Sequence, residues 1–192
     1  MLDIKLIREN PILEMFPVST NSPDALRYSI YGSKAREQGD FAGAVFWYSK
    51  SLEADSNFID ASFGLENANV YLGNLDMSRQ LLIKNYSRRA DLNPKDQIYA
   101  SWAYSFTFEA PEESIKYLKQ LQEMDDQWPR PAYLLGIMYN ITGQYYNAIT
   151  EFQKAFALYK KWGKGYLKNN SLWEGLGLAY HKTGQFEKER LL

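Results

Sequence analysis

The chain has 192 residues, of which 45% are hydrophobic and 23% charged, with a formal net charge of −1. That balance offers ample apolar surface for a core, gives no compositional case for disorder, and lacks the basic excess of a general polyanion binder. There is no cysteine, which excludes disulfides and thiolate metal sites.

Residues 1–24 read as a separate N-terminal segment: a short amphipathic stretch through Met15, then a loop from Pro17 to Asp24. Ser22 or Asp24 is placed to cap the helix that follows. Acids and bases between Met1 and Asn10 interrupt what would be the apolar stretch of a signal peptide. No run approaches the ~18 consecutive apolar residues of a membrane span, so a cytoplasmic location is expected.

From Ala25 onward the periodicity is helical, and a turn signature recurs. It runs Gly39-Asp40-Phe41, Gly73-Asn74-Leu75, Gly143-Gln144-Tyr145 and Gly184-Gln185-Phe186, followed three residues later by Ala44, Ser78, Ala148 and Glu189. Gly39 and Gly73 lie 34 residues apart, and the next interval of 70 is close to twice that. A helix–turn–helix unit repeated at about 34 residues is the pattern of a stacked solenoid. The best copy places Leu135-Gly136, Tyr139, Gly143, Tyr145, Ala148, Phe152 and Ala155 in register. The first copy carries Tyr31-Gly32, Ala35, Gly39, Phe41, Ala44, Tyr48 and Ser51, and the last Trp173, Leu176-Gly177, Tyr180, Gly184 and Phe186.

These units resemble tetratricopeptide (TPR) repeats across residues 25–192. The resemblance implies an all-α, right-handed superhelix of about five helix–turn–helix repeats, approximately 25–58, 59–94, 95–128, 129–162 and 170–192, with an inserted linker at 163–169. Two repeats depart from the pattern. In the second, Glu66 stands where a small residue is expected, Asn69 replaces an aromatic, and the second helix reads as running through Arg88 and Arg89. In the third, Glu109-Ala110-Pro111-Glu112 replaces the glycine turn, so the second helix is expected to restart at Pro111 or Glu112, with the register open by one residue. The fifth repeat's second helix is cut at Leu191-Leu192. A solenoid end needs a polar cover, so a longer parent chain, or another surface packed on that end, is expected.

Candidate chemistry is sparse. His181 is the one histidine, and a catalytic triad needs a nucleophile and an orienting acid beside it. Asp125 and Asp126 read as solvated charges at a helix exit. Gly175-Leu176-Gly177 is a helix-crossing site and no phosphate cradle. No cofactor motif is present, and an enzyme is not expected. The run from Tyr159 to Lys168 interleaves four lysines with three aromatics, a mixture able to neutralise phosphates and stack bases. One short basic run gives few phosphate contacts, so an extended helix with solvated lysines is the favoured reading over nucleic acid. Arg88 and Arg89 are a weaker candidate, better suited to a helix C-terminus.

In TPR superhelices the first helix of each repeat lines the concave surface. The resemblance carries that stripe onto Ser29, Ser33 and Arg36; Phe63, Asn67 and Val70; Ala100, Tyr104 and Thr107; Tyr133, Ile137 and Asn140; and Glu174, Leu178 and His181. Phe63, Tyr104, Tyr133, Ile137 and Leu178 would form an apolar track, with Arg36, Asn67 and Asn140 fixing a peptide backbone. The competing reading buries these residues within a tight superhelix or beneath the N-terminal segment. The carboxylate clamp of chaperone-binding TPR proteins is absent: Ser29, Ser33 and Gly64 occupy its places.

The stretch from Val18 to Tyr28, Gly39-Asp40-Phe41, and Leu176 to Gln185 resemble TPR regions of bacterial multidomain signalling proteins. The expected function is therefore non-catalytic: a peptide or partner protein bound in the groove. Self-association through the C-terminal end, giving a homo-oligomer or spacer, is the alternative.

Overall fold

The computed structural model describes residues 20–162 and 170–192. The predicted amphipathic stretch through Met15 and the linker 163–169 lie outside the described residues. Within them the chain is helical and contains no strand. Its contacts divide it into two compact units that meet in sequence between Leu92 and Asn93.

The first unit contains α1 (Pro23–Glu37), α2 (Phe41–Ala54), α3 (Ile59–Tyr71), α4 (Leu75–Ser87) and a short 3-10 turn, Arg89–Asp91. Each helix packs on the next, and α1 also touches α3. Ser22 is the N-cap of α1, its hydroxyl accepting from the Ala25 amide at 3.2 Å, with Pro23 at the first helical position. That arrangement satisfies one orphan donor and omits another.

The glycine turns follow one geometry. Gly39 has φ 77°, its N–H donates to the Arg36 carbonyl, and the next N–H, of Asp40, donates back to Ala35 at 2.9 Å. This is a Schellman stop, in which a left-handed residue lets two N–H groups satisfy carbonyls that the helix leaves open. Gly73, Gly143 and Gly184 repeat it. A local rule thus sets the reversal of four hairpins.

Packing between hairpins is decided by glycine meeting an aromatic ring. The Tyr48 ring of α2 lies between Gly32 of α1 and Gly64 of α3; an added Cβ would come within 2.9 Å and 2.3 Å of it. The Tyr48 hydroxyl is satisfied by Ser33 Oγ at 2.9 Å. Ala25, Ala44, Ala61 and Ala68 are fully buried at the surrounding crossings, where small residues permit close approach.

The α3–α4 hairpin holds polar groups where the repeat pattern has apolar ones. Ser78 Oγ donates to Glu66 at 2.7 Å, Asn74 Nδ2 to Asn69 Oδ1 at 3.1 Å, and Ser62 Oγ to Asn85 Oδ1 at 2.9 Å. Glu66 and Asn69 are therefore tolerated because partners on the facing helix or the turn complete them. The second helix of this hairpin is shorter than expected. It stops at Ser87 and tightens into the 3-10 turn. Arg88 and Arg89 are spent on carbonyls, donating to Ser56 at 2.9 Å and Tyr86 at 2.7 Å.

The second unit contains α5 (Pro94–Phe108), α6 (Pro111–Met124), α7 (Pro129–Ile141), α8 (Tyr145–Trp162), α9 (Asn170–Lys182) and the short α10 (Phe186–Glu189). Neighbours in sequence pack together, and α7 also meets α9. Between α5 and α6 no glycine turn exists. Glu109 is extended, α6 starts at Pro111, and Ser105 and Ser114 hydrogen-bond across the crossing at 3.0 Å. Phe152 of α8 plays the part of Tyr48, wedged between Gly136 of α7 and Gly175 of α9. Leu118, Leu121 and Leu135 complete this core, each 0% exposed.

Candidate functional site

The unit boundary divides the predicted groove residues. In the first unit Arg36 stands near the end of α1, and Phe63, Asn67 and Val70 follow one face of α3. Arg36, Phe63 and Asn67 are half-buried, whereas Val70 is exposed. Arg36 Nε and Asn67 Oδ1 are buried without a hydrogen-bond partner. Ser29 and Ser33, expected on the same lining, are buried instead. Ser33 is used by the Tyr48 hydroxyl, and a small residue at a helix crossing is closed off by its neighbour.

In the second unit Tyr104 and Thr107 stand on α5. Tyr104 stacks obliquely on Phe108 at 4.8 Å, and Thr107 is exposed with its hydroxyl turned back toward the Ala103 carbonyl. Ala100 is 1% exposed and belongs to the core. The stripe Tyr133, Ile137, Asn140 occupies successive turns of one α7 face, and Glu174, Leu178, His181 do the same on α9. Asn140 brings the two stripes together. Its Nδ2 donates to the Gly175 carbonyl at 2.8 Å, and its Oδ1 is buried without a partner.

Tyr133 and Ile137 are half-buried, Glu174 is exposed, and Leu178 is 46% exposed. His181 turns from the stripe toward α10. Its Nδ1 lies 3.1 Å from Glu189 Oε2, and its ring meets Phe186 edge-on at 5.5 Å. The backbone of this row is also used: the carbonyls of Arg36, Val70, Asn140 and His181 each accept the turn glycine's N–H. Only their side chains remain for a ligand.

Other sequence candidates are placed differently. Asp125 is no free surface charge: it accepts from Lys95 at 3.2 Å, and the same ammonium lies 4.0 Å over the Trp128 ring. Of the basic-aromatic run, Lys160 and Lys161 are exposed, but Tyr159 is 5% exposed and presents no face for base stacking. Burial pushes its phenol up to about 12, the opposing pull of Arg130 notwithstanding. Residues 163–168 of that run lie outside the described residues. Among the described residues no three His, Cys, Asp or Glu side chains gather to hold a metal, and no helix is long and apolar enough to cross a membrane.

Sequence reasoning missed the exposed aromatic edge of α1 and α2. There Trp47 meets Tyr28 at 5.9 Å, Tyr31 at 5.1 Å and Phe46 at 5.0 Å. Its signal was present as the consecutive Phe46 and Trp47, ahead of Tyr48, on a helix otherwise following the repeat pattern.

Residues 129–161, the α7–α8 hairpin, match the family model for the tetratricopeptide repeat. That hairpin is a tetratricopeptide repeat. A thermophilic TPR protein from Thermus thermophilus has a similar structure, with a TM-score of 0.63 at 15% identity over 86% of each chain. Among curated relatives, the photosystem I assembly protein Ycf3 of Synechococcus sp. strain CC9311 is 33% identical over 85 residues, covering 44% of this chain and 48% of that protein. The Ycf3 of Synechococcus elongatus is 35% identical over the same shares. The chain thus spans about half the length of the curated relatives it matches. The TPR fold supports protein–protein interaction as the class of function.

Proposed function

We propose that this TPR chain is a non-catalytic interaction module that holds a peptide or an extended segment of a partner protein along the first helices of its hairpins. The observation that carries this reading is the junction of α7 and α9. Asn140, on the α7 face that carries Tyr133 and Ile137, donates to the Gly175 carbonyl of α9, the helix that carries the 46% exposed Leu178. An apolar strip edged by amide and carboxylate groups suits an extended peptide, whose side chains need apolar contact and whose backbone needs donors and acceptors. The match to proteins named for photosystem I assembly supports a partner that is a subunit of a larger complex. The resemblance to TPR regions of bacterial signalling proteins supports a place in a larger cytoplasmic regulatory chain.

The test is capture of partner proteins from native lysate by the chain and by its Tyr133→Ala/Ile137→Ala variant. Capture is expected to disappear in the variant while its helical circular dichroism is unchanged. Undiminished capture by a folded variant overturns the assignment of this strip.

Self-association is a second reading, supported by the exposed Phe186 at 50%, Leu191 at 85% and Leu192 at 46%. Sedimentation across a hundredfold range of concentration decides it: a strict monomer removes the reading.

A further inference from the structure

We propose that Arg36 anchors the partner segment in the first unit, and that the group it takes is an aspartate or glutamate side chain of that segment. The proposal rests on the groove reading above and names the chemistry that the α1–α3 face selects. Arg36 is half-buried, yet no hydrogen bond or ion pair reaches its guanidinium, and its Nε is sealed from solvent without an acceptor. Every other described arginine has a partner. Arg27, Arg79 and Arg190 meet an acid, Arg88 and Arg89 a carbonyl, and Arg130 the Tyr99 ring. A cation drawn partly out of water without a counter-charge is destabilising. Glu37 does not relieve it: burial pushes that carboxyl above the usual range against the pull of Arg36, and the two side chains form no ion pair.

The register of the helices places this charge. Tyr48 between Gly32 and Gly64 repeats Phe152 between Gly136 and Gly175, so α1 and α3 correspond to α7 and α9. Arg36 follows Gly32 by four residues, as Asn140 follows Gly136. Asn140 reaches across to the Gly175 carbonyl at 2.8 Å. The longer Arg36 makes no such bond to α3, although α1 touches that helix. Its two terminal nitrogens are neither sealed nor bonded, so they remain for a ligand. Asn67, one turn on from Gly64, also makes no hydrogen bond. Lys34, two residues before Arg36, lines a depression shared with Tyr31 and Trp47, so α1 brings a single cation to this face. One guanidinium matches the two oxygens and single charge of a carboxylate, whereas a phosphate brings up to two charges. On an extended segment the adjoining backbone would have the Asn67 amide as its donor.

The experiment passes four pools of random peptides, identical except for Glu, Gln, Lys or phosphoserine at the central position, over the immobilised full chain and its Arg36→Gln and Arg36→Glu variants. Arg36 bonds nothing in the fold, so both variants should keep the helical circular dichroism of the parent. The parent chain should retain the Glu pool about tenfold more strongly than the Gln pool, the scale of one charge-assisted pair. Arg36→Gln should retain those two pools alike, and Arg36→Glu should favour the Lys pool. Equal retention of the Glu and Gln pools by the parent overturns the proposal and leaves the groove reading standing. A preference for Glu that persists in Arg36→Gln does the same, since the acid then binds elsewhere. Stronger retention of the phosphoserine pool than of the Glu pool overturns the choice of a carboxylate. Retention of no pool overturns the groove reading and this proposal with it.

Discussion

Gly64 of α3 approaches the Tyr48 ring of α2 so closely that a Cβ added to the glycine would stand 2.3 Å from the ring carbons. The same ring faces Gly32, and its hydroxyl bonds Ser33. Two adjacent hairpins are thus joined through one flat side chain held between two glycines. Phe152 repeats the arrangement between Gly136 and Gly175.

Gly64→Ala is expected to destabilise the first unit by about 1–3 kcal/mol, the usual cost of overpacking a filled core. Tyr48→Phe keeps the ring and leaves Ser33 without this partner, costing about 1 kcal/mol. Urea unfolding followed by circular dichroism measures both. Gly64→Ala unfolding at the same midpoint as the parent chain would show that the hairpins separate without cost.

The turn glycines make a second, local prediction. Gly143 has φ 73° and nothing within 4 Å of an added Cβ, so Gly143→Ala tests backbone conformation alone. A loss of about 1–2 kcal/mol is expected from forcing an L-residue into the left-handed region. A thermal melt of the variant checks it.

The polar seam of α3 and α4 makes a third. Asn85 is 2% exposed, with Oδ1 bonded by Ser62 and Nδ2 buried without a partner. Ser62→Ala alone strands the amide oxygen as well and should cost about 1–3 kcal/mol. Ser62→Ala/Asn85→Leu removes both polar groups and should recover most of that loss. A double-mutant cycle from denaturant unfolding reads the coupling directly. Additive effects of the two substitutions would mean that the Ser62–Asn85 bond contributes nothing.

Tyr159 sets a pH dependence. Its phenol is raised from 10.0 to about 12 by burial. Below pH 10 it is protonated in folded and unfolded chains alike, so its contribution is fully present. As pH rises from 10 to 12, the unfolded chain ionises first and about 2–3 kcal/mol of stability is lost. Tyr159→Phe should therefore flatten the fall in denaturation midpoint across that range relative to the parent chain. Parallel curves would contradict the assigned shift.

How much of this molecule the sequence determines by itself depends on the range of the forces involved. The helical hairpins and their four glycine turns were legible because a left-handed C′ residue and a small–aromatic spacing act within a few residues, whatever surrounds them. The candidate strip on α7 and α9 came from the TPR resemblance, which supplied the concave positions; helical periodicity then puts Tyr133, Ile137 and Asn140 on one face, and likewise Glu174, Leu178 and His181. Tertiary structure decided the rest. It buried Ser29, Ser33 and Ala100, turned His181 to Glu189, and paired Asp125 with Lys95. It also completed Glu66 with Ser78 and parted the contacts after Leu92. Each of these depends on which surface arrives opposite a residue from elsewhere in the chain. Burial and partner choice are properties of pairs, and a repeat period specifies only one member of each pair.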